Sequence, residues 1–174
     1  VDNKKRNIII TEEAIKDNLK VVAKKITKDY QGKKLYVLSL LRGSFIFTAD
    51  LVRELDTDVK IGFMTTSSYG HNEESTGVVK VVNDIPDDIT GYDVLVVDDI
   101  VDSGITMDFV IKHVQKSGAA SVKSCVLLDK PSRRKVDIKP DYCCFEIEDV
   151  FVVGYGLNYG DYYRNVPYIF NWEE

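Results

Sequence analysis

Acidic and hydroxyl-bearing residues follow the most apolar run of the chain. The run Val94-Leu95-Val96-Val97 leads into Asp98 and Asp99, and after two apolar residues comes Asp102-Ser103-Gly104-Ile105-Thr106. An apolar run without alternation is typical of a central parallel strand that is buried on both faces. Ligands of open α/β sheets bind at the carboxyl ends of such strands. We therefore expect a ligand site where these acids begin.

The residue types indicate which ligand this site would bind. A helix that begins after the loop would offer free N–H groups and a positive dipole end to an anion. Ser103 and Thr106 add hydroxyl donors, and Gly104 allows close approach of the backbone. The carboxylates would repel a phosphate, so we expect them to face sugar hydroxyls or Mg²⁺, which takes oxygen ligands. The pattern predicts a phosphorylated sugar as ligand.

Alternative interpretations of this loop stay open at this point. Asp102 or Ser103 could be a plain helix N-cap, and Asp98 and Asp99 could be solvated residues at a strand end. Other phosphate loops fit less well, because the chain has neither G-x-x-x-x-G-K-[ST] nor G-x-G-x-x-G. A receiver domain would account for Asp98 and Asp99 but not for the S-G-x-T that follows.

Composition restricts the class of protein. The chain has 174 residues, 44% of them hydrophobic, and 23 Lys and Arg against 28 Asp and Glu give a net charge of −5. One domain is expected at this length, and a protein that coats nucleic acid is usually basic. Three cysteines without a C-x-x-C pair suit a reducing compartment. No apolar run suits a membrane span or a signal peptide, so we expect a cytoplasmic protein without membrane or nucleic-acid partners.

Helices and strands alternate around this loop. Apolar residues repeat at helical spacing from Ile15 to Ile26, after Thr11, which is a good N-cap. The alternation of helices and strands predicts an α/β fold with a mostly parallel sheet. Gly62 lies inside one predicted strand, where glycine is unfavourable. We predict strands over residues 35–41, 59–66, 78–82, 93–98, 122–128, 142–147 and 151–153, and helices from Thr11 to before Gly32, over 44–55, and around Met107 to near Gly118.

The segment 94–106 resembles the phosphoribosyl-pyrophosphate (PRPP) motif of the type I phosphoribosyltransferases. That motif is a hydrophobic strand, two acids, two apolar residues and D-[ST]-G-x-T. Segments 40–45, 67–70, 126–131 and 140–157 resemble, in order, the pyrophosphate loop, the lid, the purine-contact strand and the purine hood of the hypoxanthine/guanine phosphoribosyltransferases. From about residue 8 to 168, the chain is identified as a member of that family.

The resemblance implies a fold and a domain organisation. We expect the type I phosphoribosyltransferase fold, in which helices flank a mostly parallel central sheet and the terminal segments form a small β-rich hood. Residues 1–174 would be one domain, with its core over about 30–130, its hood over about 1–12 and 131–174, and a mobile lid over about 67–78.

The resemblance also implies a reaction. PRPP and hypoxanthine or guanine would give IMP or GMP and pyrophosphate, with Mg²⁺ as cofactor, in a homodimer or homotetramer. The alternative is a regulator on the same fold that senses PRPP or nucleotides.

Roles for individual residues follow from the same resemblance. Asp102 would be the general base at purine N7, at a helix start where the dipole favours its charged form. Asp98 and Asp99 would hold the ribose hydroxyls and Mg²⁺, and the 5′-phosphate would lie against Asp102–Thr106. The pyrophosphate would contact Leu41, Arg42, Gly43 and Arg164; the purine would contact Lys130, Phe151, Val152 and Asn158; Ser68 and Tyr69 would open the lid.

Four of these positions depart from the family's usual residue. Asp98 stands where the family most often has Glu, Arg42 where many relatives have Lys, and Ile105 where many have Lys. Asn158 stands where the family usually has Asp near a second magnesium, so we expect Asn158 to be a weak metal ligand. Lys130 would donate to purine O6 and so select 6-oxopurines over adenine.

Overall fold

Eight strands, three α-helices and one short 3-10 helix (Pro131–Arg133) form in residues 4–68 and 78–173, the part of the chain that this computed structural model describes. The strands are β1 (Arg6–Ile10), β2 (Leu35–Leu41), β3 (Val59–Ser68), β4 (Val79–Asn83), β5 (Asp93–Val101), β6 (Ser121–Asp129), β7 (Tyr142–Glu146) and β8 (Ile169–Trp172). The helices are α1 (Glu12–Asp29), α2 (Phe45–Glu54) and α3 (Ile105–Lys116).

A six-stranded sheet in the order β4-β3-β2-β5-β6-β7 forms the centre. Its strand pairs are parallel except β3 with β4, which is antiparallel. Leu95 and Val97 of β5 pack with α1 and α2, whereas Val94 and Val96 pack with α3 on the opposite face. The absence of alternation in this strand therefore reflects helices on both faces, and the predicted α/β architecture is confirmed.

Helix α1 forms as its sequence predicts. The Thr11 side chain accepts a hydrogen bond from the backbone N–H of Ala14 at 3.1 Å, which satisfies one of the free donors at the helix start. Its periodic apolar residues are all buried: Ile15, Leu19, Val22, Ala23 and Ile26.

The strands predicted from residue pattern alone differ from the structure in three places. The pattern assigned neither β1 nor β8, which pair with each other in a separate antiparallel sheet. The predicted strand over 151–153 is not formed; instead Val153 makes a single bridge to Phe170. Single-sequence reasoning missed β1 and β8 because each depends on a partner more than a hundred residues away.

The two-stranded sheet of the termini is the small hood that the fold class requires. Aromatic side chains of β8 and the preceding segment cover it, and the Arg6 guanidinium lies 4.7 Å from the centre of the Phe170 ring. Within the predicted hood segment 131–174, β7 belongs instead to the central sheet, because it pairs in parallel with β6 and forms an edge of that sheet.

Two further expectations concern the lid and membranes. Ser68 ends β3, whereas Tyr69 and the rest of the predicted lid as far as residue 77 lie outside the described residues. None of the helices in the described residues is long and apolar enough to cross a membrane.

Gly62 is required inside β3 because of the neighbouring strand. The Tyr36 side chain crosses over it and donates a hydrogen bond to Asp87 at 2.7 Å. Asp87 is also paired with Lys60 at 3.1 Å. A β-carbon on Gly62 would lie 1.8 Å from the Tyr36 hydroxyl oxygen, so no larger residue fits without moving that ring.

Gly62→Ala should therefore lower the free energy of unfolding by about 1–3 kcal/mol, the usual cost of overpacking. Tyr36→Phe keeps the ring and loses the hydrogen bond, and should cost about 1 kcal/mol. Urea unfolding would measure both, with Ser67→Ala on the exposed end of the same strand as control. An unchanged unfolding midpoint for Gly62→Ala would contradict this account of the glycine.

Candidate active site

The loop between β5 and α3 is shaped by a left-handed glycine. Gly104 has φ of +82° and is the N-cap of α3, and a β-carbon there would lie 2.5 Å from Ile138 Cγ2. Helix α3 begins at Ile105, so Asp102 lies two residues before the N-cap. The expectation that Asp102 sits at the helix start is wrong, and so is the alternative that makes it the N-cap.

Most residues of this loop surround one cavity of about 230 Å³. Ile105 does not line it, and its backbone N–H donates to Ser103 Oγ at 3.3 Å. The hydroxyl proton of Ser103 stays available to an anion. The cavity is lined by Ser68, Asp98, Ile100, Val101, Asp102, Ser103, Gly104, Thr106 and Met107.

Asp98 and Asp99 lie side by side at the end of β5. Asp98 Oδ1 accepts from the N–H of Asp99 at 2.8 Å, and Asp99 Oδ1 accepts from the N–H of Ile100 at 2.7 Å. Burial raises the pKa of the Asp98 carboxyl well above its ordinary value, and the charge of Asp99 raises it further. Burial also raises the pKa of Asp99, whereas the Arg164 charge acts in the opposite direction. A cation beside this pair would offset both costs.

Asp99 connects the acidic loop to the predicted pyrophosphate residues. A β-carbon on Gly43 would lie 1.9 Å from Asp99 Oδ2, so the carboxylate packs directly on the glycine backbone. A β-carbon on Gly156 would lie 2.2 Å from the Gly43 carbonyl oxygen. The Arg164 guanidinium donates to the Gly156 carbonyl at 2.6 Å. Gly156 thus connects Gly43 and Arg164, which come from distant parts of the chain.

The remaining residues of the predicted pyrophosphate loop adjoin this cluster. The peptide bond between Leu41 and Arg42 is cis. The Arg42 side chain is exposed, and its carbonyl accepts from the N–H of Phe45 at 3.2 Å.

A buried hydroxyl cluster behind this loop was missed by the sequence reasoning. Ser39 Oγ lies 2.8 Å from Ser44 Oγ and 2.7 Å from Thr48 Oγ1, and Ser44 also donates to the Leu40 carbonyl. These three side chains fix the turn from β2 into α2. The available signal was a serine, Ser39, inside an otherwise apolar strand.

Lys130 approaches Asp102, which lines the cavity, although Lys130 itself does not line it. Lys130 is only 8% exposed, and its Nζ lies 3.9 Å from Asp102 Oδ1. That carboxylate oxygen is buried and has no hydrogen-bond partner within the described residues. A buried acceptor without a partner is costly, so the geometry favours a ligand donor at this point.

The other residues predicted to bind the purine are Phe151, Val152 and Asn158. Phe151 is 56% exposed and meets Tyr159 edge-on at 5.9 Å, whereas Val152 is buried. Asn158 is exposed, and its amide donates to the Gly160 carbonyl at 2.7 Å. These three residues do not line the cavity in the described part of the chain.

A divalent cation fits the donor set of the site. No group of three or more His, Cys, Asp or Glu side chains suited to a metal occurs among the described residues. Mg²⁺ is commonly held by one or two carboxylates together with substrate oxygens. Asp98 and Asp99 provide such a pair.

The fold and the loop define a phosphoribosyl transferase domain. The family model described as "Phosphoribosyl transferase domain" matches residues 7–160. Hypoxanthine-guanine phosphoribosyltransferase of Bacillus subtilis is 42% identical over 93% of this chain and 90% of its own length. The enzyme of that name from Aquifex aeolicus is 43% identical over 100% and 98%.

Solved structures agree. A hypoxanthine phosphoribosyltransferase from Staphylococcus aureus superposes with a TM-score of 0.94 at 42% identity, covering 98% of this chain and 93% of that one. The chain belongs to the hypoxanthine-guanine phosphoribosyltransferase family. The family and fold predicted from the sequence are thereby confirmed.

The packing of Gly156 on Gly43 leads to a comparison of two substitutions. Gly156 and Gly160 have φ of +101° and +58°, so alanine at either position carries a backbone cost of about 1–2 kcal/mol. Nothing lies within 4 Å of a β-carbon on Gly160. We expect Gly156→Ala to lower the free energy of unfolding by a further ~1–3 kcal/mol. Urea unfolding of both variants measures this, and equal losses would show that the contact carries no energy.

Proposed function

We propose that this protein transfers the 5-phosphoribosyl group of PRPP to N9 of hypoxanthine or guanine, giving IMP or GMP and pyrophosphate in purine salvage. The observation that carries the proposal is the unpartnered Asp102 oxygen beside Lys130, at the edge of the cavity formed by the acidic loop. The relatives named as hypoxanthine-guanine phosphoribosyltransferases support it. The regulator alternative finds no support among these matches.

The loop after β5 would hold the phosphorylated sugar. Ser103 and Thr106 would donate hydroxyl protons to the 5′-phosphate, and the peptide of Gly104 would approach it closely. Asp98 and Asp99 would accept from the ribose hydroxyls. They would also hold Mg²⁺ together with PRPP oxygens, and the ion would supply positive charge for the departing pyrophosphate.

The loop before α2 would hold the pyrophosphate. Leu41 and Gly43 would offer backbone groups, and Arg42 and Arg164 would offer positive charge to the leaving group. Support comes from the packing of Gly43 between Asp99 and Gly156, and from the hydrogen bond that Arg164 donates to the Gly156 carbonyl. Stabilising charge where it develops is the main contribution a protein makes to such a reaction.

The purine would be activated by Asp102 and selected by Lys130. The C1′–O bond to pyrophosphate breaks, a bond forms between C1′ and purine N9, and the N7 proton passes to Asp102. Lys130 would donate to O6, a contact that adenine cannot make. Phe151 would stack on the base, the backbone of Val152 and Asn158 would meet its edge, and Ser68 with Tyr69 would begin the lid that excludes water.

The protein would act in the cytoplasm as a homodimer or homotetramer. Apolar side chains remain exposed on α2 and β3: Phe45, Ile61 and Phe63 are 43%, 39% and 48% exposed. A second copy of the chain would cover such a surface.

The first test is an assay of PRPP and Mg²⁺ with hypoxanthine, guanine, xanthine and adenine separately. We expect turnover of hypoxanthine or guanine and none of adenine. Asp102→Asn should lower the rate about 10²–10⁴-fold, because it removes the proton acceptor. Asp108→Asn is the control, since Asp108 pairs with Lys112 on the outer side of α3. Absence of turnover with every base, with PRPP still bound, would refute the proposal.

The amide at position 158 gives a second test, on the magnesium dependence of the rate. Asn158→Asp loses the hydrogen bond to Gly160 and gains a charge. We expect half-maximal rate at a roughly fivefold lower Mg²⁺ concentration, because an exposed charge contributes up to about 1 kcal/mol. Asn165→Asp adds the same charge elsewhere in the hood and should change nothing. An unchanged magnesium dependence in Asn158→Asp would rule out a metal role for this position.

A further inference from the structure

The last carbonyl group of β5 and the first two of the loop that follows are held by one distant segment, residues 130–136. The Val101 carbonyl accepts from the Lys130 N–H at 2.9 Å. The Asp102 carbonyl accepts from the Arg134 guanidinium at 3.0 Å. The Ser103 carbonyl accepts from the N–H of Lys135 at 2.9 Å. The segment thus fixes the orientation of three consecutive peptide planes.

Peptide geometry then fixes where the loop N–H groups point. In a trans peptide the C=O and the following N–H point in opposite directions. Because the carbonyls of Val101, Asp102 and Ser103 face segment 130–136, the N–H groups of residues 102, 103 and 104 point away from it. None of residues 130–136, all of which the structure describes, lines the cavity. The segment therefore turns the donors of the loop away from itself, as an anion site requires.

Among the three donors to these carbonyl groups, Arg134 donates from its side chain. The other contacts come from backbone N–H groups, which any residue except proline would supply at these positions. The Arg134 guanidinium bonds both the Asp102 carbonyl and the Asp129 carboxylate. The side chains of Arg134 and Asp129 are 15% and 8% exposed. A planar guanidinium is suited to two acceptors at once.

Arg134 also packs against the loop that it orients. A β-carbon on Gly104 would lie 3.0 Å from Arg134 Cδ, so the arginine stem covers the glycine at the start of α3. Asp129 ends β6, and its carbonyl accepts from the N–H of Ile147 at 2.8 Å. Through Asp129, Arg134 is anchored to the central sheet. Arg133, its neighbour, instead makes an exposed pair with Asp149 at 3.4 Å.

We propose that Arg134 is a positioning residue for the nucleotide 5′-phosphate. By bridging the Asp102 carbonyl and the Asp129 carboxylate, it directs the loop N–H groups toward the phosphate and holds the Asp102 side chain beside Lys130. This inference rests on the proposed function, because it assigns the phosphate to that loop. The pyrophosphate residues Gly43 and Arg164 make no described contact with Arg134, so the effect is confined to the nucleotide.

Calorimetric titration of GMP and, separately, of pyrophosphate into the Mg²⁺-supplemented protein tests this. Arg134→Met keeps most of the length and removes the donors, and should weaken GMP binding about tenfold or more while pyrophosphate affinity stays within about twofold. Arg134→Lys should fall between wild type and Arg134→Met, since an ammonium replaces the fork incompletely. Arg133→Met is the matched control and should bind both ligands as the wild type does.

The outcomes separate this inference from the proposed function. GMP affinity in Arg134→Met equal to wild type would overturn the positioning role. If each variant, Arg134→Met and Arg134→Lys, lost as much affinity for pyrophosphate as for GMP, the effect would be a general structural one. That result would also overturn the positioning role. If Arg134→Met does not fold, Arg134→Lys decides by the same ratio. A wild-type protein that binds neither ligand would refute the proposed function itself.

Discussion

Two adjacent carboxylates at the end of a buried central strand impose the main constraint on this protein. Burial disfavours the charged form of both carboxyls, Asp98 and Asp99, and so raises their pKa values. The charge of Asp99 raises the pKa of Asp98 further. Backbone N–H groups bond one oxygen of each, and Arg164 opposes the rise in the pKa of Asp99. These backbone hydrogen bonds and the Arg164 charge offset part of the free-energy cost of negative charge at the strand end.

Close approach of backbones is the second structural requirement, and it joins the hood to the core. Gly43 lies against Asp99, and Gly156 lies against the Gly43 carbonyl, with no room for a β-carbon at either position. Arg164 then reaches the same place through the Gly156 carbonyl. Arg164, a positively charged residue of the C-terminal segment, is thereby linked through Gly156 to the loop between β2 and α2. The antiparallel pair β1 and β8 holds the ends of the chain together.

Local pattern was sufficient for the elements whose signals lie within a few residues. Thr11 and the apolar repeat of α1 predicted that helix correctly, and the apolar run before Asp98 predicted a strand covered on both faces. The same reasoning failed for β1, β8 and the predicted strand over 151–153. A short strand is stable only when it pairs with another strand. Here β1 and β8 pair with each other, and they come from opposite ends of the chain.

The sequence by itself determined the elements from α1 to β7, the acidic loop and the family, because these depend on residue types at short, fixed spacings. Only the tertiary structure decided that Asp102 stands before the N-cap, that Asn158 bonds Gly160, and that Ser39, Ser44 and Thr48 form one cluster. It also decided the hold of Arg134 on the Asp102 carbonyl. The physical reason is that the backbone path of each turn, like the long-range bond from Arg134 to Asp102, depends on how the whole sheet and its helices pack, and residue spacing alone does not encode that path.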